Sequence, residues 1–235
     1  MIKIKRTSTP KSLAQTNRVF KAAIAGMSVE DAYDFYKKHR GTYQYNTDAT
    51  KKHFRKMNKE RCSFCTRFIE DFDDEMTVEH IRLKKDNPQK IFQWSNLLCA
   101  CRTCNTKRSI RPHCPDKYLD PAKTNDIERY FCYNADGSVT ANSSLNAHER
   151  EKAEYMIKLY RLNRKGLVCK RREFIRNLMK DDFFFEALKK MDDSSQNIIF
   201  LSVFAYYKKH MAASYYAHGR PDEICQQADG RPAHE

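Results

Sequence analysis

The sequence predicts an α+β fold in which a small cysteine-rich centre carrying two short strands is framed by α-helices at both ends. Three observations predict it. Apolar residues recur at helical spacing before residue 61 and after residue 141, short apolar runs of strand length lie between, and two Cys-x-x-Cys pairs bracket those runs. Forty per cent apolar residues, with fourteen Phe and thirteen Tyr among 235, suffice for a buried core, while 31% charged residues imply a heavily solvated surface.

Taken in order, Ser12 to Ala25 reads as a helix on Leu13, Val19, Phe20 and Ile24, with Gly26 as its stop. Ser28 followed by Asp31 resembles a helix N-cap, and Val29, Ala32, Tyr33 and Tyr36 continue that helix. Asp48 to Lys59 is a third, strongly basic helix. Met76 to Ile81 and Leu97 to Ala100 read as strands. Pro112, Pro115 and Pro121 mark an irregular connection that closes in a hairpin around Asp136-Gly137. Asn146 to Leu162, Cys169 to Lys190 and Ser195 to His210 read as packing helices, with Met156, Leu159, Leu162, Phe174, Ile175 and Leu178 as apolar contacts. The expected regions are 1–60, helical and a partner or DNA contact; 61–140, the cysteine-rich core; 141–218, helical; and 219–235, a flexible tail.

Forty-four Lys and Arg against thirty Asp and Glu give a net charge of +14, a field suited to a polyanion such as nucleic acid. No run approaches the ~18 apolar residues of a membrane span, and the start Met-Ile-Lys-Ile-Lys-Arg lacks a signal peptide's apolar stretch, so no membrane partner and a cytoplasmic location are expected. Nine cysteines, an odd number, favour metal binding over a disulfide framework.

Cys62-Ser-Phe-Cys65 and Cys101-Arg-Thr-Cys104 can each place two thiolates on one tetrahedral zinc ion at about 2.3 Å. Four cysteines leave no open position, so this zinc is expected to hold the fold and not to do chemistry. Thirty-five residues separate Cys65 from Cys101, against ~15 to 20 in an ordinary zinc ribbon. The insert carries Thr77-Val-Glu-His-Ile81 and Trp94-Ser-Asn-Leu97, and Asn105 directly follows the last cysteine.

The order Cys-x-x-Cys, Glu79-His80, Asn96-Leu97, Cys101-x-x-Cys104-Asn105, Lys107 resembles the HNH nuclease signature over residues 61 to about 112. That resemblance implies a ββα-metal core, with Glu79 and Asn105 as ligands of a catalytic divalent metal, His80 as general base and Asn96 as the loop residue that steadies it. Glu79 stands where Asp is common in the family. The chemistry of these residue types agrees. An imidazole kept off the metal takes a proton from water at neutral pH, and a carboxylate with an amide oxygen suits a hard cation, Mg²⁺ or Mn²⁺. Lys107 and Arg108 are expected to hold phosphate.

Outside the core, the opening Met-Ile-Lys-Ile-Lys-Arg with Pro10 and Leu13, Leu119-Asp-Pro121, Arg129-Tyr-Phe131, Asp136-Gly137 and Leu159 to Leu162 resemble the HNH subunit of Septu-type anti-phage systems, a family also found beside retrons. This implies a bacterial defence nuclease acting on DNA with an ABC-type ATPase partner, and no nucleotide-binding Gly-rich motif occurs in this chain. Two alternatives stay open: an RNA- or tRNA-directed nuclease, and a non-catalytic zinc module that binds nucleic acid or a partner protein. Trp94 is expected to anchor its loop, and Cys99, Cys114, Cys132, Cys169 and Cys225 to be small buried or half-buried residues. Lys165, Lys170, Arg171 and Arg172 read either as a phosphate-contacting face or as a solvated one.

Overall fold

Three helices open the chain in the computed structural model, which describes residues 1–69, 76–106, 114–179 and 200–218. Helix α1 (Lys11–Ala23) starts against Pro10 and buries Leu13 and Phe20, but Val19, counted with its apolar face, is exposed. Helix α2 (Val29–Lys38) is capped as expected: the Ser28 hydroxyl accepts from the Asp31 amide at 3.1 Å, and Glu30 and Asp31 meet the positive end of the helix dipole. Helix α3 (Asp48–Asn58) starts under a Thr47 cap and ends where Lys59 turns left-handed, at φ 49°.

Strand β1 (Met76–His80) pairs antiparallel with β2 (Leu97–Cys101), placing Met76 opposite Cys101 and His80 opposite Leu97. The short helix α4 (Arg102–Thr106) follows directly and packs on both strands, giving the ββα order that the resemblance implied. A second hairpin, β3 (Phe131–Tyr133) and β4 (Val139–Ala141), turns through Gly137. Gly137 has φ +85°, and a Cβ there would lie 2.2 Å from the Val168 carbonyl oxygen, so both the turn and close helix packing require glycine.

Helix α5 (Ala147–Leu159) has Asn146 as its cap, accepting from the Glu149 amide at 2.9 Å. Helix α6 (Lys165–Met179) begins four residues before the expected Cys169. Its inward face carries a buried Arg171 between Leu167 and Ile175, each four residues away. Helix α7 (Leu201–His218) continues past the expected His210, while the stretch expected before it and the tail from Gly219 lie outside the described residues. One contiguous core runs from Met1, Leu13 and Phe20 through Trp94 and Leu98 to Met156, Leu159 and Tyr207. Residues of 1–60, 61–140 and 141–218 all contribute to it. Among the described residues no helix is long and apolar enough to cross a membrane.

Candidate metal and catalytic site

The four cysteines of the two Cys-x-x-Cys pairs converge. Their sulfur atoms all lie within 4.8 Å of one another, each side chain is buried, and Cys65 Sγ stands 3.9 Å from Cys101 Sγ. Sulfurs at the corners of a tetrahedron around zinc are about 3.8 Å apart, given Zn–S near 2.3 Å, so the donor set fits that ion. Local backbone bonds build it. The Thr66 amide returns to the Cys62 carbonyl at 3.0 Å, folding the first pair into a knuckle, and the Ser63 amide donates to the Cys99 carbonyl at 3.0 Å, stitching that knuckle to β2. Hydrogen bonding from Cys101, Cys104 and Cys62 holds the Cys65 thiol well below its usual range, against the effect of burial. The Arg164 Nη1 atom lies 3.7 Å from Cys104 Sγ. Burial lowers the Arg164 pKa, but the negative field of Cys104, Cys65 and Cys101 outweighs it and leaves the guanidinium raised. Four thiolates exceed the charge of one divalent ion, and this arginine offsets part of the excess.

On the hairpin, strand alternation puts Thr77 and Glu79 on one face. Asn105 from α4 meets that face: its Nδ2 donates to Thr77 Oγ1 at 3.0 Å and to the Val78 carbonyl at 3.3 Å. Thr77 Oγ1 already donates to the Ala100 carbonyl at 2.9 Å, so it can only accept from Asn105. The amide nitrogen is thereby fixed toward β1, and the Asn105 oxygen takes the other branch. Glu79 is 3% exposed, and its Oε1 accepts from the Tyr160 hydroxyl at 3.3 Å.

His80, the last residue of β1, engages different surroundings. Its Nε2 donates to the Ile91 carbonyl at 2.9 Å, and the Tyr45 ring stands edge-on with centroids 4.7 Å apart. Because a carbonyl only accepts, Nε2 carries the proton and Nδ1 bears the lone pair. Burial, and then the Lys84 charge, push the imidazole down to about 3, with the Ile91 bond acting in the opposite sense.

Asn96 does its work on the backbone around His80. Its Oδ1 accepts from the Arg82 amide at 2.7 Å, and its Nδ2 donates to the Arg82 and Lys90 carbonyls at 3.2 and 3.0 Å. It thus ties the chain just after His80 to the residue preceding Ile91. Arg6 braces the same loop from outside through the carbonyls of Trp94, Leu97 and Ser95, at 2.9, 2.8 and 3.1 Å. Trp94 is the anchor that was expected, packed on Phe54 at 4.6 Å with its indole donating to the Thr7 carbonyl at 2.9 Å.

Lys107 and Arg108 lie outside the described residues, as does Cys225. Arg171 belongs to neither of the two expected kinds of face: it is buried and donates to the Gly137 carbonyl at 2.7 Å and to that of Leu162, satisfying backbone groups, while Lys165, Lys170 and Arg172 are solvated. Cys99 is buried and Cys114 and Cys132 half-buried, but Cys169, expected to be covered, is exposed on α6. The residues missed from sequence are Tyr45, Tyr160 and Arg164. Each lies 35 or more positions from the group it meets, and none carried a local motif.

Residues 62–111 match the model of the HNH endonuclease family. A search of curated proteins finds no match to the chain. The matched segment begins at the first cysteine of the cluster and includes Glu79, His80, Asn96, Asn105, Lys107 and Arg108.

Proposed function

We propose that this chain is a metal-dependent HNH endonuclease that hydrolyses phosphodiester bonds in DNA, serving in the bacterial cytoplasm as the nuclease of an anti-phage complex with an ABC-type ATPase. The observation that carries the nuclease reading is the arrangement within the matched segment. One short hairpin ends in Glu79 and His80, α4 brings Asn105 to the Glu79 face, and a four-cysteine cluster secures both. A nucleic-acid substrate is supported by the +14 charge, DNA over RNA by the lack of an RNA base-reading motif in the sequence, and the partnership by the Septu-like residues outside the core.

The Glu79 carboxylate and the Asn105 amide oxygen form the hard-oxygen donor pair that suits Mg²⁺ or Mn²⁺. Such a cation supplies neutralisation of the negative charge that builds on the phosphate as water adds. His80 accepts the water proton at Nδ1 while its Nε2–H stays on Ile91. As the new P–O bond forms, the bond to the leaving sugar oxygen breaks and that oxygen takes a proton from solvent water. Asn96 holds the carbonyl of Lys90, the residue before the ring's partner Ile91, and is a positioning residue. Lys107 and Arg108 neutralise the scissile or adjacent phosphate.

The test is cleavage of a supercoiled plasmid in Mg²⁺ or Mn²⁺ by wild type and His80→Ala, each with and without the product of the neighbouring gene. Cleavage by wild type and a loss of ~10² to 10⁴-fold in the variant, with zinc content unchanged, is the expected result. Equal cleavage by both proteins would remove His80 from the mechanism. Inactivity on DNA in every arm, with cleavage of RNA, would replace the substrate class.

A further inference from the structure

The segment that follows α5 reaches both candidate metal centres. Tyr160, its first residue, directs a hydroxyl at Glu79, and Arg164, four residues on, directs a guanidinium at Cys104. Tyr160 is 1% exposed, and its ring is held flat against Phe64 inside the first cysteine knuckle, with centroids 3.6 Å apart and planes 13° from parallel. Its hydroxyl also meets the Tyr118 hydroxyl at 2.9 Å. The proton directions follow from the end of the chain. Tyr160 donates its single hydroxyl proton to Glu79 Oε1, so Tyr118 must donate to Tyr160.

We propose that Tyr160, backed by Tyr118, is a positioning residue for the Glu79 carboxylate, setting the orientation in which that side chain binds a divalent cation. The proposal rests on the nuclease reading above and deepens it: the helical region after residue 141 completes the catalytic centre. A flexible Glu in place of the shorter Asp gains a methylene and a torsion, and a phenol fixed by stacking removes that freedom by occupying Oε1. At 3.3 Å the contact is at the long end for a hydrogen bond, so Tyr160 acts by confining the Glu79 side chain.

The full-length, zinc-loaded protein is titrated with Mn²⁺ alone, followed by electron paramagnetic resonance, as wild type, Tyr160→Phe, Tyr118→Phe and Glu79→Gln, and plasmid cleavage is measured on the same samples. Tyr160→Phe keeps the ring on Phe64, so melting temperature and zinc content should stay near wild type. Its Mn²⁺ affinity should fall about 10- to 100-fold, as for other groups that orient metal ligands. In cleavage, kcat should drop at saturating Mn²⁺ with KM for DNA unchanged, and Tyr118→Phe should shift Mn²⁺ affinity in the same direction by less. Wild-type Mn²⁺ affinity in both phenylalanine variants, with Glu79→Gln weakened, would overturn the positioning role and leave the nuclease reading intact. A wild type whose Mn²⁺ binding is unaffected by Glu79→Gln, and which cleaves nothing, would overturn both. Should Tyr160→Phe lose zinc or fold, Tyr118→Phe decides: wild-type affinity there overturns the proposal.

Discussion

At the scale of single residues, the candidate site depends on which atom of each polar side chain is already committed. His80 commits Nε2 to Ile91, and Asn105 commits Nδ2 to β1, so the lone pair of one and the oxygen of the other are set by neighbours that only accept. Asn96 commits both ends of its amide to backbone groups, which makes it the most exacting position of the loop. Asn96→Ala leaves the Arg82 amide and two carbonyls without this partner and should cost about 1 to 3 kcal/mol of stability in urea unfolding. It should also lower cleavage without changing zinc content, because none of its side-chain hydrogen bonds reaches a cysteine. Asn96→Asp, which restores only the acceptor, should recover part of the stability. These residues were legible from sequence because types and order were already diagnostic. Their proton directions were not, since these depend on carbonyls such as Ile91 that carry no residue-type signal.

At the scale of elements, helix starts marked by Ser28 and Asn146 are where the sequence placed them, because a cap is a local bond between residues three apart. The start of α6 was placed four residues late, at Cys169, although the buried Leu167 precedes it, and the role of its buried Arg171 was not legible because one of the carbonyls it serves, that of Gly137, lies 34 positions away. The same junction yields a prediction. Gly137→Ala forces a Cβ onto the Val168 carbonyl at a positive φ and should destabilise the protein by more than about 1 kcal/mol in chemical unfolding. An alanine variant of equal stability would mean that the hairpin does not seat on α6 as described.

At the scale of the whole molecule, the short hairpin is held from both sides. Tyr45 and the Phe20–Phe92 contact at 4.9 Å brace its loop from the N-terminal helices, and Tyr160 and Arg164 meet it from the C-terminal region. Because one core joins these parts, removing zinc with a strong chelator should lower the melting temperature of the entire chain in a single transition. Two separated transitions by circular dichroism, with only one sensitive to the chelator, would contradict that. For the proposed DNA complex, log affinity should fall linearly with log salt, by about 0.9 per phosphate neutralised. Salt-independent binding would argue against the charge of +14 as its source.

The sequence by itself determined the two cysteine pairs, the ββα order between and after them, the candidate residues Glu79, His80, Asn96 and Asn105, and the helical flanks. The cysteine pairs and the helical flanks follow from spacing and local capping, which act over a few positions, and the ββα order and the four candidate residues from the resemblance to the HNH signature. Only the tertiary structure decided that Arg171 is a buried backbone partner, that Arg6 braces the Asn96 loop, and that Tyr160 and Arg164 reach the two candidate metal centres. Such contacts join residues up to 91 positions apart, and they are chosen by what a shared core brings together and not by any local preference of the chain.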